Sequence, residues 1–397
     1  MNSQETVIKA GWLIDGSGSD ALKNCLITIN TGEITSVTHI AADDTDFPSD
    51  YLDCSGCTLI PGLVDSHTHL TISGSLEPEI RDVHLTDEYD SALPRLKQHI
   101  RDYLAWGVVA VRDGGDFHAH VLRYKNDFKM QKEFPLTIYA AGNGFHKKGR
   151  YGQLLGMYID PEKDLAQSIL ESYKPGIDHI KVVNSGVNSL SKFGRETSPQ
   201  FTKEELKRAV KAADSIDLKI MVHANGKLPV RLAIESGCHS IEHGFFMGED
   251  NLKRMADSGT IWCPTACTMK AYRDISDPDK PQHKVAEQNM NHQLEQIKKA
   301  MAYGVKIVLG TDAGCPGVYH GKSVVEEFSL LMQAGYSAEQ AVKSATSTAM
   351  ELTGDESGKG TIAKGMTANL VAVKGTPASF PEALEEIKGV WVNGDRL

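Results

Sequence analysis

The sequence predicts an α/β protein: a closed parallel (β/α)8 TIM barrel accompanied by a small β-domain built from both chain ends. Three observations lead there. Eight times in the middle of the chain, a short apolar run is followed by a longer segment with helical spacing. About sixty residues at the start and about thirty at the end have a different texture, short β-rich runs broken by turn formers. The chain of 397 residues is too long for one small domain and near the upper reach of a single core, which favours one large unit with a satellite.

Taken in order, Thr6–Asp15, Cys25–Asn30 and Ile34–Ile40 read as antiparallel strands punctuated by Asp15-Gly16-Ser17-Gly18 and Thr31-Gly32. The expected barrel strands are Leu59–Val64, Val108–Arg112, Thr137–Ala141, His179–Val183, Lys219–Val222, Ser240–Glu242, Thr260–Cys263 and Lys306–Leu309. Helix starts support the segments between them, since Thr202-Lys-Glu-Glu205 and Ser337-Ala-Glu-Gln340 have the spacing of a capping box. Asn369–Lys374 and Val390–Asn393 return to the terminal texture. Neither end holds enough apolar surface to fold alone, so residues 1–59 and 361–397 are expected to share one β-domain beside a barrel of residues 60–360.

Composition narrows the function classes. Apolar residues at 41% and charged residues at 24% describe an ordinary globular chain and exclude a disordered one. The balance of 42 basic and 52 acidic residues, net −10, leaves no basic footprint for a phosphate backbone, so nucleic acid is excluded as a partner. No run of about 18 apolar residues predicts a membrane span, and the first residues lack the basic and apolar regions of a signal peptide. A cytoplasmic protein acting on a small molecule is expected, with homo-oligomerisation left open. The seven cysteines are odd in number and scattered, which predicts free thiols. Cys54-Ser-Gly-Cys57 has no second CxxC and reads as two strand-end cysteines.

Catalytic groups of a barrel collect at the C-terminal ends of its strands. Here strand one ends Asp65-Ser-His67-Thr-His69, strand four carries Lys181, strands five and six end in His223 and His243, and strand eight ends Gly310-Thr-Asp312-Ala-Gly. In a strand, residues i and i+2 share a side, so His67 and His69 can face the barrel axis and grip one ion. Neutral imidazoles and a carboxylate suit a divalent cation, zinc first. Lys181 inside a barrel is costly unless neutral or paired, and a neutral amine adds CO2 to give a carbamate whose two oxygens can bridge two metals. A second pair, His118 and His120, follows strand two with no partner histidine at a matching place and reads as a loop or helix start.

Pro61-Gly-Leu-Val-Asp-Ser-His-Thr-His69 and Gly310-Thr-Asp-Ala-Gly314 resemble the amidohydrolase superfamily, in the branch of imidazolonepropionase and the Xaa-Pro and Xaa-Arg dipeptidases. The resemblance covers nearly the whole chain, including Gly360-Thr-Ile-Ala-Lys-Gly-Met-Thr-Ala-Asn-Leu370. It implies that the terminal domain is a β-sandwich. It also implies two metals, one held by His67, His69, Lys181 and Asp312 and the other by Lys181, His223 and His243. Asp312 would then serve as general base and general acid in hydrolysis of an amide bond in a dipeptide-like or N-acyl amino-acid substrate. Lactones, cyclic amides and phosphoesters suit the same machinery. A mononuclear deaminase of this superfamily needs a glutamate three residues after the strand-five histidine, where this chain has Gly226. A metal-free scaffold is disfavoured because all six ligand positions hold competent residues.

The loops carry the substrate expectations. In Gly142-Asn-Gly-Phe-His146-Lys147-Lys148-Gly-Arg150, His146 is matched to the histidine of the GGH run of the dipeptidases and is expected to contact the carbonyl oxygen or the substrate carboxylate. Arg150, with its two-point fork, and His320, after strand eight, are further candidate substrate contacts. Residues 185–201 form a long polar loop expected over the site, where the relatives often show SGG and this chain has Ser185-Gly186-Val187. Cys263, Cys267 and Cys315 read as packing residues.

Overall fold

The computed structural model describes residues 5–41, 50–128, 135–156, 158–160, 162–354 and 360–397. Strands Thr6–Leu13, Leu22–Asn30 and Glu33–His39 form an antiparallel meander. Thr6–Leu13 also pairs in parallel with Leu52–Pro61, which pairs in turn with Leu370–Lys374 near the far end of the chain. Ile387–Val392 and Asp395–Arg396 complete a seven-stranded sheet that interleaves both chain ends. Its alternating apolar residues, among them Ile8, Leu13, Ile27, Leu59, Leu370 and Trp391, bury a core of their own.

The barrel strands are parallel. Leu63–Thr68, Val108–Asp113 and Thr137–Ala140 form one sheet, and His179–Val183, Lys219–Ala224, Ser240–His243 and Ile261–Cys263 run in order in another. All six residues of the first two strands are buried, as expected for strands covered on both faces. The circuit closes through backbone hydrogen bonds along residues 306–313. Val308 N–H donates to Trp262, Ser66 N–H to Leu309 and Asp312 N–H to His67, at 2.9, 3.0 and 2.7 Å.

Three expectations about strands are corrected. The run Leu59–Val64 spans two elements, because the terminal strand Leu52–Pro61 ends at Pro61 and the barrel strand starts at Leu63. Proline has no N–H to continue a ladder, and the chain changes sheets at Pro61-Gly62. The third strand is interrupted: Thr137–Ala140 stops, and pairing with His179–Val183 resumes at Gly144–Lys147. The eighth run, Lys306–Leu309, joins its neighbour through the single bridge of Trp262 with Ile307 rather than as an extended strand.

Both capping boxes form. Thr202 Oγ1 accepts the N–H of Glu205 at 3.2 Å while Glu205 accepts that of Thr202 at 2.7 Å, and Ser337 and Gln340 do the same at the start of Ala338–Ser344. All seven cysteines are thiols. Among the described residues no helix is long and apolar enough to cross a membrane.

Candidate active site

A cavity of about 340 Å³ opens at the C-terminal ends of the barrel strands, and His67, His69, Lys181, His223, His243 and Asp312 all line it. Alternation along Leu63–Thr68 turns His67 inward, and His69 follows one residue past the strand end. Asp312 Oδ1 lies 3.7 Å from His67 Nε2 and 3.5 Å from His69 Nε2, and its Oδ2 lies 3.8 Å from His243 Nδ1. These separations are too long for hydrogen bonds. The 3.5 Å pair falls within the roughly 3.3–3.6 Å between two atoms that each sit about 2.0–2.2 Å from one tetrahedral ion, and the other two lie 0.1–0.2 Å beyond it. His67, His243 and Asp312 converge closely enough to share a cation, and the whole donor set of imidazoles, carboxylate and amine suits divalent metal.

The atoms behind the cavity wall orient these donors. His67 Nδ1 donates to Glu242 Oε2 at 2.7 Å, and His69 Nδ1 to the carbonyl of Gly115 at 3.0 Å, so both rings turn Nε2 lone pairs to the cavity. His223 Nε2 donates to the carbonyl of Gly186 at 3.1 Å. Glu242 is itself held by Arg112 and Ser240 at 3.2 and 2.5 Å. Asp65, fully buried, accepts from Thr311 N–H and Oγ1, Tyr103 Oη and His67 N–H, which ties the first strand to the segment bearing Asp312. His243, Thr265 and Asp312 adopt left-handed backbone with φ of 68°, 46° and 59°. For non-glycine residues, and for β-branched Thr265 above all, that is strain of the kind found at functional sites.

Electrostatics favour open lone pairs. Burial, reinforced by Lys181, holds the pKa of His69 and of His223 down to about 3, and burial first of all keeps His67 and His243 well below the ordinary histidine range. Burial also lowers Lys181 and pushes Asp312 up to about 7, the latter against the attraction of Lys181. These imidazoles are held neutral at any physiological pH.

An amidohydrolase family model matches residues 58–397 of this chain. The chain belongs to the amidohydrolase family. This amidohydrolase is 25% identical to ochratoxinase of Aspergillus niger over 98% of its own length and 86% of the relative's. It is 24% identical to imidazolonepropionase of Porphyromonas gingivalis over 81% of its length and 76% of that protein's. Among solved structures it resembles a Xaa-Pro dipeptidase with methionine bound in the active site, with a TM-score of 0.85 and 28% identity over 99% of this chain and 100% of that one. The A. niger ochratoxinase structure superposes with a TM-score of 0.83 at 21% identity, covering 100% of this chain and 96% of that one. The amidohydrolase is a hydrolase with a TIM-barrel-type fold.

The residues expected to contact substrate are placed as follows. Neither His146, Arg150 nor His320 is among the residues lining the cavity. His146 is 1% exposed, its ring nitrogens at 3.0 and 3.3 Å from the carbonyls of Lys147 and Gly156. Arg150 donates to the carbonyl of Ser198 at 2.7 Å, and Lys147 pairs with Glu205, so this segment stitches the strand-three loop to its neighbour. His320 stacks on His99 with centroids 3.7 Å apart, and its Nε2 lies 3.2 Å from the carbonyl of His69. His118 and His120 stack on each other and flank the start of helix His120–Asp127.

Other residues form the walls. Tyr151 follows Arg150, Val187, Asn188 and Leu190 come from the long loop, and Met269 and Tyr272 come from helix Cys267–Ile275. Arg81, in helix Pro78–Thr86, adds a guanidinium. Sequence reasoning missed Glu242, although an acid in an otherwise apolar strand opposite Arg112 in another was a usable signal. Arg81, Tyr151 and Tyr272 gave none, since they lie in segments with no strand-end register.

Proposed function

We propose that this hydrolase cleaves an amide bond in a small dipeptide-like or N-acyl amino-acid substrate in the cytoplasm, using two divalent cations, zinc first, bridged by a carbamate on Lys181. The observation that carries this reading is Lys181 itself. It is 1% exposed at the centre of His179–Val183, and its Nζ lies 3.4 Å from His67 Nε2 with no ion pair to a carboxylate among the described residues. Burial lowers its pKa, and a neutral amine can form the N–C bond to CO2 and release a proton. His67, His69, Lys181 and Asp312 would hold one cation and Lys181, His223 and His243 the other. When bound, the cations would polarise the scissile carbonyl and lower the pKa of the attacking water.

The chain's own groups supply the rest. Asp312, the carboxylate that lines the cavity among the described residues, would take a proton from the attacking water and return it to the leaving amine. The apolar part of the lining would seat a substrate side chain. The Xaa-Pro dipeptidase with methionine in its active site and ochratoxinase support amide-type substrates. Gly226, at φ 87° with Glu196 Oε2 only 2.8 Å from where a Cβ would sit, offers no proton shuttle for a deaminase. The same reading divides the chain into a composite β-sandwich of residues 1–59 and 361–397 and a barrel of residues 60–360, supported by the interleaved terminal sheet.

The test is hydrolysis of pooled dipeptides and N-acyl amino acids by zinc-loaded protein, read by mass spectrometry with Asp312→Asn as the blank. Cleavage by the wild type alone supports amide hydrolysis. No cleavage by protein shown to hold its metals transfers the reading to lactones, cyclic amides or phosphoesters.

A further inference from the structure

We propose that Arg81, with Tyr151 and Tyr272, anchors a free carboxylate of the substrate and so selects substrates that release an apolar amino acid. The inference rests on the amide-hydrolase reading and names its substrate class.

Beside the six polar candidate ligands, the cavity is lined by the apolar Leu154, Leu155, Val187, Leu190, Phe245 and Met269. Arg81 and the buried Lys181 are the lysine and arginine side chains that line it among the described residues. Arg81 belongs to a helix, Pro78–Thr86, that buries none of its own residues. Its guanidinium is nonetheless held in place, because Nη1 donates to the carbonyls of Ser73 and Gly314 at 2.9 and 2.7 Å. Gly314 stands two residues beyond Asp312, so the cation is tied to the segment that carries the proposed proton carrier.

Those two bonds use only Nη1. Among the described residues Nε and Nη2 have no hydrogen bond and Arg81 has no ion pair, which leaves the side of the fork that matches a carboxylate in two-point contact. Tyr151 and Tyr272 line the same cavity, and each senses the charges of Arg81 and Asp312. Neither phenol is committed to a hydrogen bond among the described residues, so both can donate to a bound carboxylate. An apolar surface in the same cavity as a charge anchor is what reads an amino-acid side chain. The anchor that sequence reasoning sought in His146 and Arg150 thus falls on the helix Pro78–Thr86.

The experiment compares N-acetylphenylalanine with N-acetylphenylalaninamide as substrates for zinc-loaded wild type, Arg81→Gln and Arg81→Lys, following release of phenylalanine or its amide. The wild type is expected to prefer the acid by about 10–100-fold in kcat/KM, the range of one charged hydrogen-bonded contact. Arg81→Gln should remove most of that preference by raising KM for the acid with kcat little changed, and Arg81→Lys should retain part of it. Equal turnover of acid and amide by the wild type, or an undiminished preference in Arg81→Gln, overturns the proposal. So does an equal loss on both substrates, which marks a merely structural arginine.

Calorimetry with L-phenylalanine and L-phenylalaninamide on the same proteins separates this inference from the reading beneath it. If no amide is cleaved, tighter binding of the acid by wild type but not by Arg81→Gln still supports the anchor, and binding that ignores the carboxylate overturns it.

Discussion

At the scale of single residues, the site depends on how donors are turned and which protons they hold. His67 presents Nε2 because Nδ1 is occupied by Glu242, so Glu242→Gln, which weakens that acceptor, should lower metal affinity by about 10–100-fold, as measured by competition with a chromophoric chelator. Unchanged affinity would show that the ring is held by packing alone. The pH dependence of metal uptake has a definite sign. Binding needs the Asp312 carboxylate, which burial keeps protonated below about pH 7, so a metal must displace that proton and apparent affinity should rise as pH rises through about 7. His69 and His223, held near 3, are already deprotonated there and add no slope. Calorimetry in buffers of different ionisation enthalpy should find proton release near pH 6 that is reduced in Asp312→Asn; release that persists undiminished in that variant would assign it to another group. The six candidate ligands were legible because strand ends have a register, whereas Arg81, Tyr151 and Tyr272 sit where neither period nor spacing marks a side chain's direction.

At the scale of elements, the closure between the first strand and residues 306–313 positions two of the segments that bear candidate ligands. Asp65 accepts two hydrogen bonds from Thr311 across that seam and two more from Tyr103 and His67, and Gly310 has no room for a side chain, since a Cβ there would lie 2.3 Å from Cys263 Sγ. Asp65→Ala should therefore cost about 3 kcal/mol and reduce metal content, because it strands buried donors at the site's foundation. Thr202→Ala removes a cap on the outer helix Lys203–Asp214 and should cost only about 1 kcal/mol with kcat unchanged. Urea unfolding midpoints and metal analysis of the two variants check both, and an Asp65→Ala protein that unfolds and loads metal like wild type would contradict the seam. Both capping boxes were visible in sequence because they are local. The split of Leu59–Val64 between two sheets, the resumed pairing at Gly144–Lys147 and the bridge-only contact of Lys306–Leu309 were not, because apolar content does not report which partner strand supplies the hydrogen bonds.

At the scale of the whole molecule, the two ends of the chain meet in one sheet while the barrel gathers six polar side chains from five of its segments into one cavity. Burying such a set without ions is expensive, so cations that bind only the folded chain should stabilise it markedly, by about 2.7 kcal/mol for each site held at a hundred times its dissociation constant. Chelation should lower the thermal midpoint and added zinc restore it; a midpoint indifferent to both would mean that the site holds no metal. The central claim is the carbamate bridge on Lys181. The measurement that tests it most directly is the metal content of wild type and Lys181→Ala by elemental analysis, with activity measured alongside and small carboxylic acids added to stand in for the carbamate. The account predicts two ions per wild-type chain, the loss of at least one ion and of activity in Lys181→Ala, and partial recovery with the added acid. Full metal content and full rate in Lys181→Ala would contradict it.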